Sequence, residues 1–136
     1  MKLHVHLLFG GNCEEAFRFY EKHLGGKITV MMKQRDLPDQ TKVTPGTENA
    51  VVHTRMSVGG MDLIGNDVPP ANFKPIHSSY LFLAVDSSQA AEDIYAILSE
   101  GGVVGMPIGE TFFATRFAQL RDRFGILWTI IHPRPM

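Results

Sequence analysis

This sequence predicts an α+β fold made of one strand–helix–strands unit written twice, and three observations carry the prediction. Two capped helical stripes recur along the chain at nearly the same offset. Each follows a short apolar run and is closed by a glycine pair, after which further strand-like runs appear in the same order. Stretches rich in proline and polar residues separate these elements.

Residues 3–9 (LHVHLLF) read as a strand, apolar enough to be covered on both faces. Gly10-Gly11-Asn12 breaks it, and Asn12 suits the N-cap of a helix, with Glu15 reaching back as in a capping box. Ala16, Phe17, Tyr20 and Leu24 make one apolar face; Arg18, Glu21 and Lys22 make the wet one. Gly25-Gly26 stops the helix. Strands follow at 27–33, 50–58 and 61–64, the last two joined by a tight Gly59-Gly60 turn. The second copy opens with a strand at 80–85 (YLFLAV), and Asp86 and Gln89 take the places of Asn12 and Glu15. Ala90, Ile94, Ile97 and Leu98 form its helical stripe, Gly101-Gly102 its stop, and strands follow at 103–106, 112–121 and 126–132. The chain thus reads as a single domain, 1–136, with a first βαβββ module at 1–66, a linker at 67–78 and a second module at 79–136. The stretch 65–78 reads as a linker or lid, and 36–49 as an irregular insertion.

Composition narrows the function classes. At 44% apolar and 20% charged the chain is globular, and 13 basic against 14 acidic side chains give a net charge of −1. Near-neutrality offers no electrostatic reason for a nucleic-acid or anionic-membrane partner. No apolar run nears the ~18 residues of a membrane span. The start runs directly into strand-like sequence, with no separate apolar leader core. One cysteine, Cys13, leaves no disulfide within the chain and points to a reducing cytosol.

Gly11-Asn12-Cys13-Glu14-Glu15-Ala16-Phe17, Phe19-Tyr20-Glu21, Leu24-Gly25-Gly26, Met106-Pro107, Glu110-Thr111-Phe112, Arg116-Phe117, Asp122-Arg123-Phe124-Gly125 and Trp128 together resemble the vicinal-oxygen-chelate superfamily. That is the glyoxalase, bleomycin-resistance and extradiol-dioxygenase group, and the resemblance is closest to its PhnB-like branch. It spans nearly the whole chain. It implies two tandem βαβββ modules forming curved half-barrels around a cleft, within a homodimer. It also implies a divalent metal held by His and Glu side chains on the first and last strands of each module. Carried over by position, those sites fall on Val5, Leu63 or Ile64, Tyr80 and Thr129, which are poor ligands or none. The expectation is therefore a scaffold without the usual metal, with a divalent metal at other residues left open and no other cofactor.

Alternation turns His4 and His6 away from Val5, to a face expected to meet a helix or a neighbouring chain. His53 shares a strand face with Arg55 and is a candidate acid or base. Glu110 is a second candidate, and it could equally pair with Arg116. Asp122–Gly125 reads as a structural turn. Tyr80, Phe82, Phe112, Arg116, Trp128 and Thr129 are the expected ligand-binding residues, with Trp128 offering an indole N–H. Cys13, in the first helical turn, reads as an incidental thiol rather than a nucleophile. The functional expectation is a cytosolic, homodimeric small-molecule binder. A metal-dependent lyase or dioxygenase with non-standard ligands is the first alternative, and a drug-sequestering resistance protein the second. A methyltransferase reading finds no glycine-rich strand-to-helix turn for an adenosyl cofactor.

Overall fold

A computed structural model describes residues 1–135. Among them the chain forms two four-stranded sheets and two α-helices, in two compact units, Met1–Phe73 and the described residues from Lys74 onward. The first unit runs β1 (Val5–Phe9), α1 (Cys13–Leu24), β2 (Lys27–Lys33), β3 (Val51–Val58) and β4 (Met61–Asp67). The second runs β5 (Leu81–Ala84), α2 (Ser88–Ser99), β6 (Val103–Gly109), β7 (Ala114–Arg121) and β8 (Leu127–Pro133). Both are βαβββ modules, and their sheets share one topology: β1-β4-β3-β2 and β5-β8-β7-β6. In each, the first strand pairs parallel with the last and the remaining pairs are antiparallel. No described helix is long and apolar enough to cross a membrane.

The first unit is built around α1. Ala16, Phe17 and Tyr20 are fully buried against Leu7, Phe9, Met56 and Leu63. Phe17 meets Phe9 edge-on at 6.0 Å and Tyr20 at 6.3 Å between ring centroids. Gly65 of β4 lies directly under this helix. A Cβ there would sit 2.6 Å from Phe17 Cε1 and 3.1 Å from Cys13 Sγ, so the strand must present glycine where the helix crosses it. Gly25, at φ +71°, is the left-handed C-cap the sequence predicts.

Several boundaries differ from expectation. Asn12 precedes α1 but its side chain caps nothing. Instead Asp67, at the end of β4, accepts from the backbone N–H groups of Gly11 and Cys13, both at 3.0 Å, and from Val51 N at 2.9 Å. A carboxylate from a distant strand thus satisfies the orphan donors at the helix start. In the second unit the N-cap is Ser87, whose Oγ accepts from Ala90 N at 3.0 Å, rather than Asp86. Gln89 donates to Asp93. β4 continues to Asp67, so 65–67 belongs to a strand, and the turn before β7 takes in Phe112 and Phe113. The 36–49 stretch follows on from the 3-10 turn Gln34–Asp36 and contains the 3-10 turn Gln40–Lys42, and Gln40 Nε2 ties the carbonyls of Gln34, Arg35 and Leu37.

Candidate functional site

Register fixes which side chains share a face of each sheet. In the first unit Gly65 lies beneath α1, and its cross-strand partner Thr54 is fully buried. Alternation then places Leu63, its partners Val5 and Met56, and Leu7 on the α1-covered face. The opposite, open face carries His6 beside Ile64, Leu8 beside Asn66, and Arg55 beside Ile64, with Val30 next to Arg55 and Met32 next to His53. This corrects the expectation for the first strand. Val5 and Leu63 lie on the helix-covered face of the sheet. His4 and His6 lie to the open side, because the buried residues Leu7 and Phe9 decide which way the strand faces.

The polar groups of this open face are tied to one another. Arg55 Nε donates to Asp62 Oδ2 at 2.6 Å, and the Asp62 backbone N–H donates to His4 Nδ1 at 3.1 Å. Asn66 Nδ2 donates to the Asp67 carbonyl, which turns Asn66 Oδ1 toward His6; His6 Nε2–H donates to it at 2.5 Å. His4, Arg55, Ser57, Asp62 and Lys2 line an open groove of about 800 Å³ on this unit. A second groove, of about 470 Å³, lies beside Asp67 and the 36–49 loop. There the Asp67 carboxylate is already engaged by the backbone donors at the start of α1.

A divalent metal held by His and Glu does not fit these donors. The His4 Nδ1 lone pair is spent on the Asp62 N–H, which leaves the proton on Nε2. A metal at Nε2 would force that proton onto Nδ1, facing another N–H. The Asp62 carboxylate is paired with a guanidinium. Among the described residues no group of three or more His, Cys, Asp or Glu side chains could hold a metal ion.

In the second unit the expected ligand-binding residues divide between two faces. Arg116 Nε donates to Glu92 of α2 at 2.9 Å, and Thr115 links Ser88 of α2 to His132. The α2-facing positions of β8 are therefore His132, Ile130 and Trp128. Trp128 is 3% exposed, and its indole N–H donates to Asp122 Oδ2 at 2.8 Å, so it is not offered to a ligand. Asp122 is the structural turn residue the sequence predicts: its Oδ1 accepts from Phe124 N and Ile126 N. Phe82, Thr129, Gln119 and Met106 share the face away from α2, where Gln119 Nε2 donates to Thr129 Oγ1 at 3.1 Å. Tyr80, just before β5, is 44% exposed, Phe82 66% and Phe112 88%. Glu110 pairs with Arg134 at 3.0 Å rather than with Arg116, whose carboxylate partner is Glu92.

Cys13 is fully buried against Gly65. Burial, with the Asp67 and Glu14 carboxylates nearby, pushes its thiol far up from the ordinary value, so it is no nucleophile. Glu14 is held below its usual range by its hydrogen bond to Lys33, in a 2.8 Å ion pair that joins α1 to the end of β2.

The family model for 3-demethylubiquinone-9 3-methyltransferase matches residues 1–131. The chain belongs to this family. It is similar to protein PA1353 from Pseudomonas aeruginosa, with 36% identity, 97% of each chain covered and a TM-score of 0.87. A Bacillus cereus structure described as a PhnB protein shares 23% identity over 97% of this chain and 99% of its own, with a TM-score of 0.83. A glyoxylase/bleomycin resistance protein/dioxygenase domain from Frankia sp. EAN1pec, 17% identical with a TM-score of 0.65 and 98% of both chains covered, shares the fold. The Bacillus cereus and Frankia structures share this chain's fold, the two βαβββ modules that the sequence resemblance implies.

Proposed function

We propose that this PhnB-like chain is a small-molecule-binding protein that takes its ligand on the open face of the first unit's sheet, without the divalent metal usual in the superfamily. The observation that carries this reading is the groove of about 800 Å³ lined by His4, Arg55, Ser57 and Asp62, with its tied donor set. We take the protein to work as a homodimer, and the exposed Phe82, Val103 and Met106 of the second unit support that.

The other readings have less behind them. Adenosyl and nucleotide cofactors favour a glycine-rich strand-to-helix turn with available amides. Here the β1–α1 turn donates both its Gly11 and Cys13 N–H groups to Asp67. That counts against methyl transfer from such a cofactor at this turn. A groove for sequestering a cationic drug would be acidic, whereas Asp62 is the acid of this groove and is paired. A lyase or dioxygenase with non-standard ligands needs donors that His4 and Asp62 do not leave available.

The test is thermal denaturation across a small-molecule panel, on protein purified without chelator and again after EDTA treatment. The expected result is a stabilising shift with at least one compound that survives EDTA. A shift that vanishes with EDTA and returns with Ni, Zn, Fe or Mn would overturn the metal-free reading.

A further inference from the structure

We propose that the ligand of the first unit's groove carries an oxyanion, either a carboxylate or a phosphonate or phosphate group, and that Arg55 is the residue that recognises it. The proposal rests on the ligand-face reading above and narrows its ligand class.

Asp62 prepares two donors at once. Its carboxylate takes Arg55 Nε at 2.6 Å, which fixes the plane of the guanidinium. An arginine has five N–H donors. In the Arg55 side chain only Nε finds an acceptor among the described residues, so the Nη edge remains open on a groove-lining, partly exposed residue. That edge presents two parallel N–H groups at the spacing of two oxygens on one carbon or phosphorus. The second donor is His4. With Nδ1 accepting from the Asp62 N–H, its Nε2 carries a proton to donate. Ser57 adds a hydroxyl and Lys2 an ammonium with no ion pair among the described residues.

The balance of charge and donors points the same way. Lys2 and Arg55 share the groove with the single carboxylate of Asp62, which leaves one positive charge uncompensated there. A cation entering it would meet a net positive charge. A wholly apolar ligand would cover donors without replacing their water. An oxyanion satisfies both the charge and the fork.

The experiment is calorimetric titration at low salt with benzoate, its neutral isostere benzamide, and methylphosphonate. It uses the wild-type chain, Arg55→Met, Arg55→Lys and Lys22→Met. Lys22 is exposed on α1, so Lys22→Met removes the same charge away from the groove. Benzoate or methylphosphonate should bind the wild type and benzamide should not; the tighter anion identifies the carboxylate or the phosphonate class. Arg55→Met should weaken that binding about tenfold or more, and Arg55→Lys, which keeps the charge but lacks the fork, should weaken it as well. Lys22→Met should change it less than about twofold. Benzamide binding as well as benzoate would overturn the oxyanion and leave the ligand face standing. Equal losses in Arg55→Met and Lys22→Met would reduce the effect to general charge attraction and overturn the role of Arg55. If neither anion binds while a neutral compound from the thermal panel binds in an Arg55-dependent way, the ligand class is wrong but its place is right. If no compound is sensitive to Arg55, both readings fall.

Discussion

Two carboxylates, Asp67 and Asp122, hold backbone that would otherwise be left without partners. Asp122 lies 3% exposed in the β7–β8 turn and accepts from Phe124 N, Ile126 N and the Trp128 indole. Replacing it with alanine strands those buried donors. Asp122→Ala is expected to destabilise the fold by about 3 kcal/mol, measured by urea unfolding, since bonds to a charged acceptor are worth roughly 1.5–3 kcal/mol each and are not additive. Asp122→Asn should cost less for the backbone pair but set an amide N–H₂ against the indole N–H. A loss below about 0.5 kcal/mol in Asp122→Ala would show that the turn holds without its carboxylate. The turn itself was legible, because Asp followed by Gly is a local signal. Its bond to Trp128 was not, and that is why the indole N–H reads from the sequence as open to a ligand. The same is true of Arg116 and Glu110. Each pairs with a carboxylate or guanidinium brought in from 24 residues away, Glu92 and Arg134, and no spacing rule links such pairs.

The helices and most strands follow from periodicity, because a stripe and a glycine stop are properties of a short stretch. Gly25 at φ +71° and Gly101 at φ +74° stand where the sequence places the stops. The start of α1 could not be read in the same way, since its cap comes from Asp67, more than fifty residues on. The sequence alone puts the two faces of β1 in reverse for a related reason. Shifting a strand by one residue exchanges its two faces, and the face is chosen by what Leu7 and Phe9 bury under α1, not by the strand's own alternation. Gly65 is where helix and sheet meet most closely. Gly65→Ala should push Phe17 and Cys13 apart and cost about 1–3 kcal/mol, with a matching fall in the denaturation midpoint. An unchanged midpoint would mean that α1 can lift from β4 freely. At Gly26, by contrast, a Cβ would meet the Met56 side chain, which can move aside, so Gly26→Ala should cost less.

At the level of the whole chain the duplication is complete: two βαβββ modules with the same strand order, each pairing its first strand parallel to its last. The copies have diverged most in what the sheet face away from the helix carries. The first has histidines, Arg55, Asp62 and Asn66; the second has Phe82, Met106, Gln119 and Thr129. Residue types alone point to the aromatic second copy as the ligand face. The reading proposed above places it on the polar first copy, where hydrogen bonds join His4, Asp62 and Arg55 in a groove. Metal chemistry needs unspent imidazole and carboxylate atoms, whereas recognition of a polar molecule needs fixed donors, and it is the second that the proposal assigns to this groove. The most direct measurement is amide and side-chain chemical-shift mapping on EDTA-treated, isotope-labelled protein, titrated with a compound that raises its melting temperature. Perturbations should concentrate at His4, Arg55, Ser57 and Asp62, including the Arg55 Nε–H. Perturbations confined to Phe82, Gln119 and Thr129, or appearing only once a divalent metal is restored, would contradict the account.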